Sequence, residues 1–65
     1  MNRKLRLKII EKYKSQADFA LAMNIDEPYV SRIIHYRRIL PKQEEKRWCR
    51  ALDCKREDIF VDEVD

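Results

Sequence analysis

Apolar residues recur along this chain at the three- and four-residue spacing of helices, in five blocks divided by polar punctuation. Leu5, Ile9 and Tyr13 fall at i, i+4 and i+8, with Ile10 widening the stripe and Asn2 placed to cap it. Phe19, Ala20 and Met23 form a second face behind Ser15, a good N-cap, with Asp18 three residues on as in a capping box. Val30, Ile33 and Ile34 mark a third. Asp26 stands at its cap, and Pro28 lies in a first turn whose amides lack intrahelical partners. Trp48, Cys49, Ala51 and Leu52 give a fourth, for which Pro41 suits the first helical position. Glu44 and Glu45 early in that segment, with Arg47 and Arg50 later, agree with the helix dipole. Glu57, Asp58, Ile59 and Phe60 read as a short last helix, and Lys55 at its cap predicts an end that frays readily. The pattern predicts an all-α fold, a compact bundle of about five short helices near residues 3–13, 16–23, 27–35, 42–52 and 56–60. Residues 1–60 form one domain in this reading, and 61–65 are a loose or partner-bound tail.

The stretch from Gln16 to His35 organises the rest. Asn24 closes the first of its two helices, because Asn tolerates the left-handed conformation better than any residue but Gly. Ile25 anchors the turn. Two helices that cross steeply after so short a turn need a small side chain where their backbones approach, and Ala20, ten residues before Val30, supplies it.

The residues Gln16-x-x-Phe19-Ala20 through Val30-Ser31-x-Ile33, with Leu5, Ile9, Trp48, Leu52 and Asp58-Ile59-Phe60, resemble the helix-turn-helix family of phage repressors and Cro proteins. The resemblance covers residues 3 to 60 and implies a lambda repressor-like bundle in which the helix at 27–35 enters the DNA major groove. Three positions depart from the family: Asn24 and Tyr36 stand where Gly is common, and Pro28 is unusual near the start of a recognition helix.

Placed on that architecture, the base-reading positions are Glu27, Pro28, Tyr29 and Arg32. The planar fork of Arg32 suits guanine O6 and N7, ionised Glu27 accepts only and suits cytosine N4, and Pro28 offers a surface for a thymine methyl. Tyr29 reaches a base or phosphate, or else packs as a half-buried aromatic. Gln16 at a helix start, and Ser31, His35, Arg37 and Arg38 further along, are the expected contacts to the DNA backbone. The resemblance also implies a homodimer on double-stranded DNA, for which Val61 and Val64 are apolar groups without an obvious internal partner.

Charge adds to this picture. Residues 1–14 carry six bases against one acid and residues 32–50 seven against two, while 15–31 hold three acids and no base and 51–65 six acids against two bases. This alternation suggests two faces, one suited to a polyanion. Lys4, Lys8 and Lys12 form a row of like charges that disfavours an isolated helix, so a nearby phosphate backbone or solubility accounts for them.

Other classes find little support. Cys49 and Cys54 are the only cysteines and, with one distant histidine, do not furnish a four-ligand zinc site, so they read as reduced, buried thiols. No nucleophile–base pair is present, and a chain without glycine has no phosphate-cradling loop, so neither an enzyme, a cofactor nor a small-molecule substrate is indicated. No apolar run is long enough for a membrane, and the expected setting is the cytoplasm, at the nucleoid. The reading is a sequence-specific DNA-binding regulator of repressor type. The alternative is the same fold used as a protein-interaction module, an antitoxin or adaptor, because Glu27 and Pro28 at the head of the helix are unfavourable to DNA.

Overall fold

The computed structural model describes residues 1–60, which form five helices: α1 (Arg3–Tyr13), α2 (Gln16–Met23), α3 (Glu27–Ile34), α4 (Lys42–Leu52) and α5 (Arg56–Ile59). The fold is all-α, as the spacing predicts. α3 and α5 each end one residue before the predicted boundary, because His35 (φ −91°, ψ 11°) and Phe60 (φ −116°, ψ 45°) leave helical geometry and serve as caps. The tail at 61–65, and with it the dimer contact assigned to Val61 and Val64, lies outside the described residues. No helix among the described residues is long and apolar enough to cross a membrane.

One apolar cluster holds the bundle together, with Trp48 fully buried inside it. The Phe19 ring meets Trp48 edge-on at 5.1 Å between centroids and Tyr13 at 5.2 Å, an arrangement that aromatic quadrupoles favour. Leu5, Ile9, Met23, Val30, Ile33, Ile34, Leu52 and Ile59 are buried with them, as their spacing predicts. Leu40, in the loop before α4, joins them, although nothing in its neighbourhood is periodic. Ile10 does not widen the α1 stripe inward as expected. It is 40% exposed, and the core face of α1 is carried by Leu5, Ile9 and Tyr13. Ala20, 2% exposed, lies on the buried side of α2, a helix packed against both α1 and α3, where a larger side chain would force neighbouring helices apart.

Polar contacts fix how the elements meet. Asn2 is the one buried polar residue of the described core, and it binds in three directions. Its Oδ1 accepts from the Leu5 amide at 3.1 Å and so caps α1, while its Nδ2 donates to the Ile59 carbonyl at 2.6 Å. Its backbone N–H donates to the Ile34 carbonyl, so that the start of α1 and the ends of α3 and α5 meet at one point. Arg47 donates to the Met23 carbonyl at 3.2 Å, supplying α2 with a cation at its C-terminus. The Tyr13 hydroxyl donates to the Ala51 carbonyl, linking α1 to α4.

Three capping expectations change. Asp26 stands at the N-cap of α3 but makes no side-chain capping bond. A cap bonds the second or third amide of its helix; here the second is Pro28, which has no N–H, and the third, Tyr29, donates to the Asp26 carbonyl at 3.1 Å. Pro41 is the N-cap of α4 rather than its first helical residue, since its extended ψ of 149° leaves Lys42 to begin the helix. α5 is not left uncapped by Lys55, because the Asp58 carboxylate reaches back to accept the Lys55 N–H at 3.0 Å. Ser15 caps α2 as expected, its Oγ accepting from the Asp18 amide.

α2, α3 and α4 end alike. In each a non-glycine residue is left-handed: Asn24 (φ 59°), Tyr36 (φ 60°) and Asp53 (φ 53°). After it, an amide reaches back five residues, Ile25 to Ala20, Arg37 to Arg32 and Cys54 to Cys49, while the left-handed residue's own amide reaches back three. This is the Schellman motif, and it turns the two residues joined by the longer bond toward the same side. A chain without glycine builds it three times, holding Asn, Tyr and Asp in a region that costs an ordinary residue roughly 1–2 kcal/mol.

Candidate nucleic-acid interface

α3 buries Val30, Ile33 and Ile34, and the opposite stripe of the helix is therefore Pro28, Ser31, Arg32 and His35, at i, i+3, i+4 and i+7. Pro28, Arg32 and His35 are exposed and Ser31 is half-buried. Glu27 is exposed on one flank of this stripe. Tyr29 lies on the other, half-buried, with its ring edge toward Trp48 at 6.5 Å. Of the four expected base-reading residues, three face outward and Tyr29 packs on the core.

The expected backbone contacts divide as well. Gln16 is half-buried at the start of α2, next to Ser15, whose hydroxyl is already engaged by Asp18. Arg38 sits over the Tyr29 ring, its guanidinium carbon 5.0 Å from the centroid, so its charge is held beside α3 by an aromatic face. Arg37 is exposed, and its amide donates to the Arg32 carbonyl at 2.8 Å.

This last bond was not anticipated from the sequence. In most Schellman motifs the paired positions carry apolar side chains that touch. At the end of α3 they carry two arginines instead. The ion pairs among the described residues join Lys12 to Asp53, Arg47 to Glu44 and Arg56 to Glu45, and neither Arg32 nor Arg37 takes part. The surface salt bridge to Glu27 or Asp26 that would have explained Arg32 structurally is thus not among them. The signal lay in the sequence: once Tyr36 is assigned the left-handed position, Arg32 and Arg37 follow at fixed offsets.

Among the described residues, no group of three or more His, Cys, Asp or Glu side chains converges as metal ligands do. Cys49 and Cys54 are free and half-buried, and burial raises both thiol pKa values above the ordinary range. Comparison with protein-family models, curated proteins and solved structures gave no match to the chain.

Proposed function

We propose that the chain is a sequence-specific DNA-binding regulator that uses α2 and α3 as a helix-turn-helix and lays the outer stripe of α3 in the major groove. The observation that carries this reading is the Arg32–Arg37 pair. Two guanidinium groups outside any ion pair among the described residues, on positions that one motif turns to the same side, call for an anion or a row of acceptors. DNA offers both, a guanine edge for Arg32 and a phosphate for Arg37. Arg38, His35, Ser31 and Gln16 then serve the backbone, and Pro28 lies against a base edge where its ring replaces a donor. Glu27 accepts from a cytosine amino group or orients Arg32. A single helix this short reads only a few base pairs, so the working species is a homodimer on a two-fold site.

Selection of bound duplexes from a random pool, combined with the protein's mass in solution, tests this reading. A palindromic enriched site supports it. Arg32→Ala is expected to cost about 1–3 kcal/mol on that site and to relax one base position. Arg37→Ala is expected to weaken all duplexes alike and to lower the salt slope by about one unit. Equal losses on selected and random DNA for Arg32→Ala remove it from base reading. One observation favours the second reading, a protein-interaction module: Leu21 on α2 is 80% exposed and Ile39 91%. A pool that yields no enriched duplex decides for it.

A further inference from the structure

The end of α4 applies the same backbone motif to different chemistry. Its left-handed residue is Asp53 (φ 53°, ψ 51°), whose amide donates to the Arg50 carbonyl at 3.2 Å, while the Cys54 amide donates to the Cys49 carbonyl at 3.0 Å. Cys49 and Cys54 therefore occupy the two positions whose side chains the motif brings together. Both are half-buried, and both pack against the edge of the same apolar cluster. A thiol pair tied together by backbone hydrogen bonds differs from two cysteines that merely lie near each other in sequence. The fold has already met much of the entropic cost of closing the ring between them.

We propose that Cys49 and Cys54 form a dithiol site that closes reversibly to an intramolecular disulfide across the end of α4, with a low-molecular-weight disulfide as oxidant. One cysteine thiolate attacks a sulfur of the small disulfide. This forms a mixed disulfide on the protein and expels one small thiolate. The second cysteine thiolate then attacks the protein sulfur of that mixed disulfide, closing the ring and expelling the other small thiolate. The two cysteines are oxidised, the small disulfide is reduced to two thiols, and the two protons lost by the protein end on those thiols.

The surroundings set the pace of this reaction. Around Cys49 the charged neighbours are Glu45, Asp58 and Arg56, with the Cys54 thiol itself, and around Cys54 they are Lys8, Lys12, Asp53 and Asp58. Burial and the carboxylates disfavour thiolate, while Arg56, Lys8 and Lys12 oppose them only in part. Closure is therefore slow at neutral pH and accelerates as pH rises, because the thiolate is the attacking species. Once formed, the bridge clips the turn from which α5 hangs, and with it the Ile59 carbonyl that holds Asn2.

The test is intact-mass analysis of the full chain, and of Cys49→Ser and Cys54→Ser, after incubation with oxidised glutathione at mildly alkaline pH. The expected parent product is a monomer about 2 Da lighter, without bound glutathione, that returns to its starting mass under reductant. Each single variant, lacking the second thiol, is expected to retain one glutathione. A parent that keeps glutathione on either cysteine, or that cross-links chiefly between chains, overturns the proposal. So does a folded parent whose thiols remain untouched while the urea-unfolded chain reacts. None of these readouts involves DNA, so the dithiol site and the nucleic-acid reading stand or fall separately.

Discussion

Replacing Asn2 by alanine removes two bonds of different kinds, and the structure allows the cost of each to be assigned. Loss of the Oδ1 acceptor leaves the Leu5 amide without its cap, which costs about 1 kcal/mol. Loss of the Nδ2 donor leaves the Ile59 carbonyl, in a fully buried residue, without that partner, which costs about 1–3 kcal/mol more. The sum, about 2–4 kcal/mol, is a large share of what a domain this small has to lose. It corresponds to a fall in melting temperature on the order of 10–25 °C. Two further variants separate the parts. Asn2→Ser keeps a capping oxygen but cannot reach Ile59, and is expected to fall between parent and alanine. Asn2→Asp keeps the cap but sets a carboxylate oxygen against the Ile59 carbonyl, and is expected to be at least as damaging as alanine. Urea unfolding followed by circular dichroism and by Trp48 fluorescence measures all four proteins. An alanine variant within about 0.5 kcal/mol of the parent refutes the reasoning, since that is the spread of ordinary surface substitutions. An aspartate variant as stable as the parent refutes only the bond to Ile59.

Ala20→Leu is expected to destabilise by at least about 1–3 kcal/mol, because overpacking the buried side of α2 forces it from neighbouring helices; a thermal melt equal to the parent's contradicts that packing. Lys14→Gly is expected to stabilise by up to about 1 kcal/mol, because Lys14 is exposed and held at φ 74°; a lowered urea midpoint counts against strain there. The two thiols give stability an alkaline dependence. Their pKa values are raised in the fold, so their contribution is complete below the ordinary thiol range and is lost as pH rises through the raised values. Between about pH 7 and pH 10 the parent's urea midpoint should fall further than that of the Cys49→Ser, Cys54→Ser double variant; parallel declines exclude the effect.

Most of the fold was legible because it rests on local rules. Buried stripes follow helical spacing, Ser15 caps where its position says it should, and Asn24 takes the left-handed conformation that its residue type tolerates. What escaped depends on contacts distant in sequence or on interference between neighbours. The bond from Asn2 to Ile59 spans 57 residues, and no pattern around Asn2 signals more than a cap. Leu40 is buried and adjacent Ile39 is 91% exposed, a distinction that two apolar residues in a loop do not reveal. Asp26 fails as a cap because Pro28 takes away one amide and the backbone uses the next. On α3 the outward stripe was readable from its period. For Tyr29 the sequence left a half-buried aromatic and an outward contact both open, and the choice between them, like the seating of Arg38 on its ring, depends on where Trp48 lies.

The chain from Arg38 through Tyr29 to Trp48 gives the molecule a built-in optical probe. Trp48 is the only indole and is fully buried, so its emission is that of a dry ring and moves to the red when the core opens. Tyr29 lies 6.5 Å away, well within range of excitation transfer, and carries the Arg38 guanidinium on its face. Light absorbed by that tyrosine is therefore passed on to the tryptophan. A ligand that draws Arg38 away and turns the Tyr29 ring is expected to change the Tyr29 share of tyrosine-excited emission, beside a steady share from Tyr13, while leaving emission excited at the indole alone nearly constant. The ratio of the two separates occupancy at the end of α3 from unfolding, in the native sequence and without a label.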